Sequence, residues 1–553
     1  MPVSNRLEII PLGGLGEFGM NVMAYCHGHD CVVVDVGMMF PGADQPGVDL
    51  VLPDLSFLED CGNLHGVVLT HGHEDHVGAL PHLLSTHDLP VLATAHCRGL
   101  VGRRLVEYDP AFTRALRPLP PDGEPLVLGP FTIRTIRAAH SIPQSKMLVI
   151  DTPAGRVLHT ADFKFDTRPP DGETTDVDAL RRVGEQGVLA LFADSTNADR
   201  PGTTPGEAEV ARGLDRVIDG APAKVVVSSF ASNIQRVRVL SELAVKHGRR
   251  LALVGTSLET QVEVAERGGL IAFPPGVRIS PERVMELPPR EVLVLATGSQ
   301  GEPLSALARI ALDRHRHVAI DDDDLVIHSA RRIPGNEKAI DRVFDRLLRL
   351  GADVITAQDA MIHASGHPSR GDLERLLELV RPRYLVPIHG EFRQLKAHHD
   401  LATRRGMGRD RVLLVESGDV IELDEQSIAV VDRVRVGQVC VDASRERIDP
   451  ELLRDRRRSA GEGVVVAVVA LEPDGLASAG FPQIETRGFV TGATENGFLG
   501  EARQVVVDSL RRADVRERED RVALKARIHS DLKRFLRRKL QRSPLIIPVV
   551  LER

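Results

Sequence analysis

Four potential metal ligands lie close together in the segment THGHEDHVGAL, which begins at Thr70. They are His71, His73, Asp75 and His76, and they directly follow GVVLT, a stretch with the pattern of a buried strand. Imidazole and carboxylate are suitable ligands for zinc or manganese. The alternative is a polar surface loop that happens to be rich in histidine, but that does not explain why the ligands crowd the end of a strand. The spacing predicts that His71 and His73 face one ion, while Asp75 and His76 face another.

Two ions need more ligands than this segment offers, and the chain supplies candidates at other strand ends. His140 follows FTIRTIRAA, Asp162 follows RVLHTA, and His389 ends YLVPI. Each one alone would be an ordinary loop residue, but all three share the context of the first segment. Two adjacent cations lower the pKa of a shared water toward neutrality and offset the charge that grows on an attacked phosphate. The pattern therefore predicts a hydrolytic centre.

The surrounding sequence predicts several domains. Residues 1–205 alternate short β-branched runs with Gly/Pro turns, which is typical of packed sheets in an α/β or sandwich-type hydrolase. Residues 206–360 alternate longer helices with single apolar strands, as in a parallel sheet. The short-strand style returns in 361–448, so the middle domain is predicted to be an insertion into the first. Residues 449–553 form a further unit with a strand pair, helices and a final strand.

Composition limits the function classes. At 553 residues, with 42% hydrophobic and 27% charged residues, the chain fits a multidomain globular protein, and no apolar run reaches the roughly 20 residues of a membrane span. The start, MPVSNRLEIIPLGG, lacks the pattern of a secretory signal, so we expect a cytoplasmic location. Five scattered cysteines without a CxxC pair predict neither a disulfide framework nor a thiolate zinc site. Histidine and carboxylate must then hold any metal.

The net charge of −8 does not by itself favour a polyanionic partner. Residues 511–542 nevertheless carry thirteen Lys/Arg against five Asp/Glu. RNA contact and an amphipathic helix with a solvated basic face explain this segment equally well. Aromatic residues make up only 3% of the chain, so any nucleic acid should be held mainly through its backbone, with low sequence specificity.

The HxHxDH loop, the later ligands and the inserted domain resemble the β-CASP nucleases of the metallo-β-lactamase superfamily, and the motifs resemble the ribonuclease J family in order and spacing. Each stretch is weak alone, but the ordered set is specific and covers essentially the whole chain. The stretches are PLGGLGEFGMN (11–21), GVDLVLPD (47–54), ADFKFD (161–166), ADSTNA (193–198), FASNIQR (230–236), TGSQGEP (297–303), IPGNE (333–337), HASGH (363–367) and PIHGE (387–391).

The resemblance implies an αββα metallo-β-lactamase sandwich with an inserted β-CASP α/β domain and a small C-terminal α/β domain that serves oligomerisation or RNA contact. It implies two zinc ions, with manganese or magnesium as substitutes in vitro. By this resemblance, one ion would be held by His71, His73 and His140. The other would be held by Asp75, His76 and His389, and Asp162 would bridge the two ions.

Further residues receive roles from the same resemblance. Asp75 would orient the attacking water, and His367 would give a proton to the departing 3′ oxygen. Asp194 would orient a ligand histidine, although a turn-forming or helix-capping aspartate is the alternative. The residues implied in substrate binding are Ser232, Asn233, His363, Ala364, Ser365, Gly366 and His367.

The implied activity is 5′ to 3′ hydrolysis of single-stranded RNA that carries a 5′ monophosphate, with internal cleavage as a second activity, in RNA maturation and decay. A homodimer or homotetramer, partners in an RNA-degradation complex and no membrane association would follow. The alternatives are a DNA-directed β-CASP nuclease, a hydrolase of small thioesters or lactams, and a catalytically weak RNA-binding scaffold. The insertion and HASGH disfavour small substrates, and the full ligand set disfavours the scaffold.

The sequence departs from the usual family pattern in three places. Gln144 stands where an acidic residue is common, and Ala161 stands where glycine is usual. HSARRIPGNE (328–337) replaces a stretch that is richer in serine. None of these departures removes a proposed ligand, but they bear on how substrate is gripped.

Overall fold

The computed structural model describes residues 5–42, 44–333, 335–472, 482–488 and 494–552, so Pro334 of IPGNE and parts of the C-terminal strand pair lie outside the described residues. The strands, numbered along the chain, are β1 (Leu7–Gly13), β2 (Val22–His27), β3 (Asp30–Val34), β4 (Leu50–Pro53), β5 (Asn63–Val68), β6 (Val91–Ala93), β7 (Leu116–Pro118), β8 (Leu126–Leu128), β9 (Phe131–Ala138), β10 (Ser145–Thr152), β11 (Gly155–His159), β12 (Ala190–Asp194), β13 (Val225–Ser228), β14 (Arg250–Val254), β15 (Arg278–Ile279), β16 (Val292–Ala296), β17 (Leu325–His328), β18 (Asp353–Ile355), β19 (Tyr384–Ile388), β20 (Asp419–Leu423), β21 (Ile428–Arg433), β22 (Gln438–Val441), β23 (Val464–Leu471), β24 (Gln483–Arg487) and β25 (Leu545–Glu552).

The α-helices alternate with these strands, and a few 3-10 segments lie between them. The helices are α1 (Ser56–Glu59), α2 (Glu74–Val77), α3 (Leu80–Leu84), α4 (Ala95–Tyr108), α5 (Val177–Gln186), α6 (Glu207–Asp219), α7 (Ile234–Lys246), α8 (Thr256–Arg267), α9 (Ala306–Ala311), α10 (Glu337–Arg349), α11 (Arg370–Val380), α12 (Phe392–Arg404), α13 (Pro450–Glu462), α14 (Thr494–Arg512), α15 (Val515–Glu519) and α16 (Arg521–Leu540). The 3-10 segments are Pro110–Ala115, Pro281–Glu286, Pro289–Glu291 and Arg409–Arg411.

The described chain divides into two compact units. The first unit comprises Met1–Met39 and Leu52–Gln438, and the second comprises Phe40–Val51 and Val439–Arg553. In the second unit, β24, β23 and β25 form a small sheet in that order. Apolar residues of α14 and α16 pack on this sheet around Phe498, Leu532 and Ile546.

Two sheets of the first unit face one another, as the predicted αββα sandwich requires. One has the strand order β21-β20-β1-β2-β3-β5-β6-β7, and the other has the order β19-β12-β11-β10-β9-β8. Their facing sides bury a common core that includes Tyr25, Phe131 and Phe192. Helices α5, α11 and α12 cover the outer side of the second sheet with residues such as Leu180, Leu373 and Leu401. β12 is buried along its whole length, because the facing sheet covers one side of it and these helices cover the other.

Strand direction brings one edge of each sheet to the same end of the sandwich. β9 and β11 both run antiparallel to β10, and β11 is parallel to β12, which is parallel to β19. In the facing sheet, β3 is parallel to β5. The segments that follow β9, β11, β12 and β19 therefore emerge together, and so do those that follow β3 and β5.

The insertion forms its own parallel sheet in the order β15-β14-β16-β13-β17-β18. Strands such as β13 and β16 are buried along their whole length, because helices cover both faces. This arrangement confirms the predicted parallel α/β insertion. The return of the chain in β19 to the second sheet of the sandwich explains why the short-strand style reappears there.

One cysteine prediction is corrected. Cys26 of β2 and Cys31 of β3 are direct cross-strand partners, and a disulfide joins them. The spacing of the cysteines along the chain gave no sign of this pair, because strand register brings the two residues together.

A buried network of charges joins the sandwich to the insertion. Lys164 Nζ lies 3.2 Å from Glu207 Oε1, and Arg236 Nη2 donates to Glu207 Oε2 at 2.9 Å. Arg236 Nη1 also donates to the backbone oxygen of Ile362 at 3.1 Å, at the start of the HASGH loop. Burial opposes the ionisation of Glu207, but Arg236 and Lys164 outweigh it and lower the pKa of this carboxyl to about 2.

We predict that Arg236→Met destabilises the protein by roughly 3–5 kcal/mol, because the substitution leaves Glu207 and Lys164 buried with incomplete pairing. Since the pKa of Glu207 is lowered in the folded state, its contribution to stability is present above about pH 4.5 and is lost as the pH falls toward about 2. Urea unfolding at pH 7 measures the loss. The control is Arg181→Met, which removes an exposed ion pair with Asp178 and should change stability by less than about 0.5 kcal/mol. Equal effects of the two substitutions would contradict the prediction.

Candidate metal centre

The seven predicted ligands meet at the common edge of the two sheets. His71 and His73 follow β5, and the short helix α2 then carries Asp75 and His76. The remaining ligands follow strands of the facing sheet. They are His140 after β9, Asp162 after β11 and His389 after β19.

The first group consists of three histidines and one carboxylate oxygen. His73 Nδ1 lies 3.1 Å from His71 Nε2 and 3.1 Å from His140 Nε2. Asp162 Oδ2 lies 3.6 Å from His71 Nε2 and 3.4 Å from His140 Nε2. Four tetrahedral ligands of a zinc ion, each about 2.1 Å from the metal, would lie about 3.4 Å apart. The spacing of these atoms therefore fits one zinc-class ion.

The second group of candidate ligands shares Asp162 with the first group. Asp162 Oδ1 lies 3.4 Å from His76 Nε2 and 3.6 Å from His389 Nε2. Asp75 Oδ2 lies 3.7 Å from His76 Nε2 and 3.4 Å from His389 Nε2. Within the described residues, Asp162 Oδ1 is buried and has no hydrogen-bond partner. A buried carboxylate oxygen without a partner is costly, and a second cation would compensate it.

The outward-facing nitrogens of the histidines are held in place. His76 Nδ1 lies 2.7 Å from Asp35 Oδ2, and His71 Nδ1 lies 3.1 Å from Thr70 Oγ1, which itself donates to Asp35 at 2.7 Å. Such contacts fix the tautomer and the direction of a metal-binding ring. The sequence reasoning missed Asp35. Its signal was an aspartate that directly follows the apolar strand DCVVV, which is the same signal that marked the ligands.

Asp194 lies next to the centre but mainly contacts a different histidine. Its Oδ2 lies 2.8 Å from His367 Nδ1, whereas its Oδ1 lies 3.6 Å from His389 Nδ1. The nearer partner of His389 Nδ1 is Thr196 Oγ1, at 2.6 Å. Asp194 therefore orients His367, the predicted proton donor, more directly than it orients a ligand. Thr196 was not predicted from sequence.

Only part of the HASGH loop reaches the centre. Gly366 accepts a hydrogen bond from His140 Nδ1 at 2.7 Å, and a Cβ at this position would lie 2.6 Å from the His140 ring. His363 lies beside Arg236, where burial and that cation lower the pKa of the imidazole to about 3. Ala364 is part of the apolar core of the insertion. The side chains of His363 and Ala364 are therefore not where the substrate-binding prediction needs them.

In the FASNIQR segment, too, only one of the two predicted substrate-binding residues lies at the metal centre. Ser232 Oγ lies 3.0 Å from His73 Nε2, which places this hydroxyl at the metal centre. Asn233 instead caps α7, because its Oδ1 accepts from the backbone of Arg236 at 3.0 Å, and the residue is buried. Ser365, from the other predicted loop, accepts a hydrogen bond from Asn197 Nδ2 at 2.9 Å.

The pKa values of the histidines at the centre are shifted in two opposite directions. Burial and nearby histidines lower the pKa of His71 and His140 well below the usual value. Burial also opposes protonation of His389, but Asp162, Asp194 and Asp75 outweigh it and raise the pKa of this ring to about 10. Burial is likewise outweighed at His76, where Asp162, Asp75 and Asp35 raise the pKa well above its usual range. Without metal, these shifts favour the protonated rings of His76 and His389 at neutral pH.

Comparisons with known families agree with this fold. Residues 15–192 match the family described as the metallo-beta-lactamase superfamily, and residues 354–414 match the Zn-dependent metallo-hydrolase RNA specificity domain. These matches and the paired ligand groups define the class as a metallo-β-lactamase hydrolase. Residues 222–347 match the beta-CASP domain of ribonuclease J, and residues 451–553 match its C-terminal domain.

Relatives that match over 99% of this chain point to the same family. The chain is 37% identical to Ribonuclease J of Corynebacterium glutamicum, and the match covers 99% of this chain and 76% of that protein. It is 38% identical to Ribonuclease J of Thermus thermophilus, and that match covers 99% of this chain and 96% of that protein. It is 34% identical to Ribonuclease J2 of Bacillus subtilis over 99% of both chains. A crystal structure of a protein of unknown function from Enterococcus faecalis shares the fold, with a TM-score of 0.53 and 15% identity over 76% of this chain and 100% of that one. The chain belongs to the ribonuclease J family, a family of metal-dependent ribonucleases.

We predict that Asp35→Asn weakens metal binding about 10–100-fold, because the substitution removes the carboxylate that holds the His76 ring. Competition with a zinc-buffering chelator measures the affinity. Asp30→Asn is the matched control, since Asp30 begins the same strand and lies 2.7 Å from His65 Nε2 in a contact outside the centre. The control should bind metal like the wild type. Equal losses in the two variants would contradict a specific role of Asp35.

A second prediction concerns the number of protons that are released when metal binds. Because the pKa values of His76 and His389 lie above neutrality without metal, metal binding at pH 7 must displace about two protons. Affinity should therefore rise with pH through the neutral range. Isothermal titration calorimetry of zinc binding, in buffers of different ionisation enthalpy, counts the released protons. Release of none would show that both rings are already neutral in the metal-free protein.

Proposed function

We propose that the protein hydrolyses RNA phosphodiester bonds at this centre and that two zinc ions occupy the two ligand groups. The observation that supports this most is the position of Asp162, one carboxylate whose two oxygens face two separate sets of ligands. When bound, the ions would supply positive charge that makes water a better nucleophile and that offsets negative charge on the phosphate. His71, His73 and His140 would hold one ion, and Asp75, His76 and His389 the other.

The remaining residues of the centre would orient the reactants. Asp75 is the more exposed of the two carboxylates in the ligand set, so its free edge can accept a hydrogen bond from the attacking water. His367 is partly exposed, and its Nδ1 is engaged with Asp194, which leaves Nε2 to protonate the departing 3′ oxygen. Ser232 and the backbone of the HASGH loop lie close enough to the histidines to contact the phosphate under attack.

Finer features of the activity rest on the family relationship. We propose 5′ to 3′ digestion of single-stranded RNA with a 5′ monophosphate, with internal cleavage as a second activity, in RNA maturation and decay in the cytoplasm. The second unit is the proposed site of assembly into a homodimer or homotetramer, and further partners would belong to an RNA-degradation complex. Within the residues that the structure describes, no helix has the length and apolar character needed to cross a membrane.

The test compares hydrolysis of 5′-monophosphorylated RNA, 5′-triphosphorylated RNA and DNA of the same sequence, with zinc or manganese added or chelated. The wild type should degrade the monophosphorylated RNA fastest, and chelation should abolish the reaction. His76→Ala should reduce kcat/KM at least about 100-fold, because the second group loses a ligand that also positions Asp35 and Asn21. His65→Ala, a histidine outside the centre, is the control and should retain activity. Intact RNA with a metal-loaded wild type, or faster cleavage of DNA, would overturn the proposal.

A further inference from the structure

The loop that follows β17 lies beside the metal centre. β17 is parallel to β13, with His328 in register with Ser228, so its following loop runs next to the segment that carries Ser232. Hydrogen bonds fix the backbone of this loop. Ser329 N donates to the backbone oxygen of Ser228 at 2.8 Å, and Gln300 Nε2 donates to the backbone oxygen of Arg331 at 2.8 Å. The position of Arg331 is therefore set by the sheet of the insertion.

The side chain of Arg331 points toward the HASGH loop. Its Nη1 donates to Asn197 Oδ1 at 2.8 Å. The amide nitrogen of Asn197 in turn donates to Ser365 Oγ at 2.9 Å and to the backbone oxygen of His367 at 3.2 Å. A single amide group thus connects the guanidinium to the loop that bears the proposed proton donor.

The charge of Arg331 is not neutralised by a direct ion pair. Among the described residues, no carboxylate lies within 4.0 Å of its guanidinium, although the side chain is partly buried. Burial and the nearby Arg200 lower its pKa, and Arg393 acts in the same direction, whereas only Asp199 opposes them. A partly buried cation without a direct counterion is costly, and an anionic ligand would remove that cost.

We propose that Arg331 is a specificity-determining residue that binds a phosphate group of the substrate strand beside the HASGH loop, an inference that rests on the proposed RNA hydrolysis. The planar guanidinium can donate two parallel hydrogen bonds to phosphate oxygens, while Nη1 is already oriented by Asn197. Arg331 belongs to HSARRIPGNE, where the sequence departs from the serine-rich family pattern. The phosphate is either the 5′-terminal group or an internal phosphodiester.

The adjacent residue provides a matched control. Arg332 Nη1 lies 2.7 Å from Asp341 Oδ1, and its guanidinium lies 5.3 Å from the centre of the Phe344 ring. Arg332 thus has the same charge and nearly the same position in the sequence, but its charge is already paired.

The experiment measures binding and turnover of fluorescent single-stranded RNA that carries either a 5′ monophosphate or a 5′ hydroxyl. Turnover is followed with the zinc-loaded wild type, Arg331→Gln, Arg331→Lys and Arg332→Gln. Equilibrium binding is measured by anisotropy with the same substitutions in the His76→Ala background, at several salt concentrations. Metal content and the thermal unfolding midpoint show whether each variant is folded and loaded.

We expect Arg331→Gln to weaken binding and to raise KM about 10-fold or more, and to lower the slope of log Kd against log salt by about 0.7. Arg331→Lys should lie between Arg331→Gln and wild type, because it keeps the charge but loses the fork. Arg332→Gln should bind within about twofold of the wild type. A loss confined to 5′-monophosphorylated RNA identifies the terminal phosphate, whereas an equal loss with both RNAs identifies an internal one.

The outcomes separate this inference from the proposed function. If the wild type cleaves RNA and Arg331→Gln matches Arg332→Gln in Kd, KM and salt slope, the role of Arg331 is overturned and the function stands. If RNA binds and responds to Arg331→Gln but is never cleaved, the role of Arg331 stands and the function fails. Absence of RNA binding by every protein would overturn both.

Discussion

The proposed metal centre depends on one buried carboxylate, Asp162, that two ions would share. Asp162 is almost fully buried, and its two oxygens face two groups of histidine and aspartate side chains. Burial of so many ionisable groups is unfavourable unless they are paired or bind cations. The sandwich makes the arrangement possible, because its two sheets bring six candidate ligands from the ends of three strands, β5, β9 and β19, to a single aspartate.

Three residues at the metal centre have a strained backbone conformation. Asp35, Ala161 and His389 all have positive φ angles, of 60°, 46° and 56°. Such conformations cost non-glycine residues on the order of 1–2 kcal/mol each. Each of these residues directly follows a strand or lies next to Asp162, so the buried sheets hold the strained turn in place. The family resemblance implies glycine at position 161, and glycine would adopt this conformation without strain. This chain tolerates alanine instead.

The candidate metal ligands could be predicted from the sequence because they obey a local rule, namely that histidine or aspartate comes shortly after an apolar strand. The same rule applies to Asp35, but the sequence analysis did not select it, because the rule alone does not separate the many aspartates that follow strands. Thr196, Thr70 and Asn197 act through contacts with distant segments, which no local pattern encodes. The outline of the fold was predictable for a similar reason, since alternation of apolar residues shows strands and helices directly.

The substrate-binding residues were harder to predict, because motif membership does not say where a side chain points. Asn233 caps a helix and Ala364 lies in the core, although both stand in motifs that reach the centre. The disulfide between Cys26 and Cys31 likewise depends on strand register. The place of Arg331 also depends on a contact between distant segments, namely its hydrogen bond to Asn197.

Anomalous diffraction at the zinc edge from crystals of the zinc-loaded protein would test the central claim most directly. The account predicts two peaks, one among the ring nitrogens of His71, His73 and His140 and one among Asp75, His76 and His389, with Asp162 between them. A single peak in an active preparation, or two peaks of which neither contacts Asp162, would contradict it.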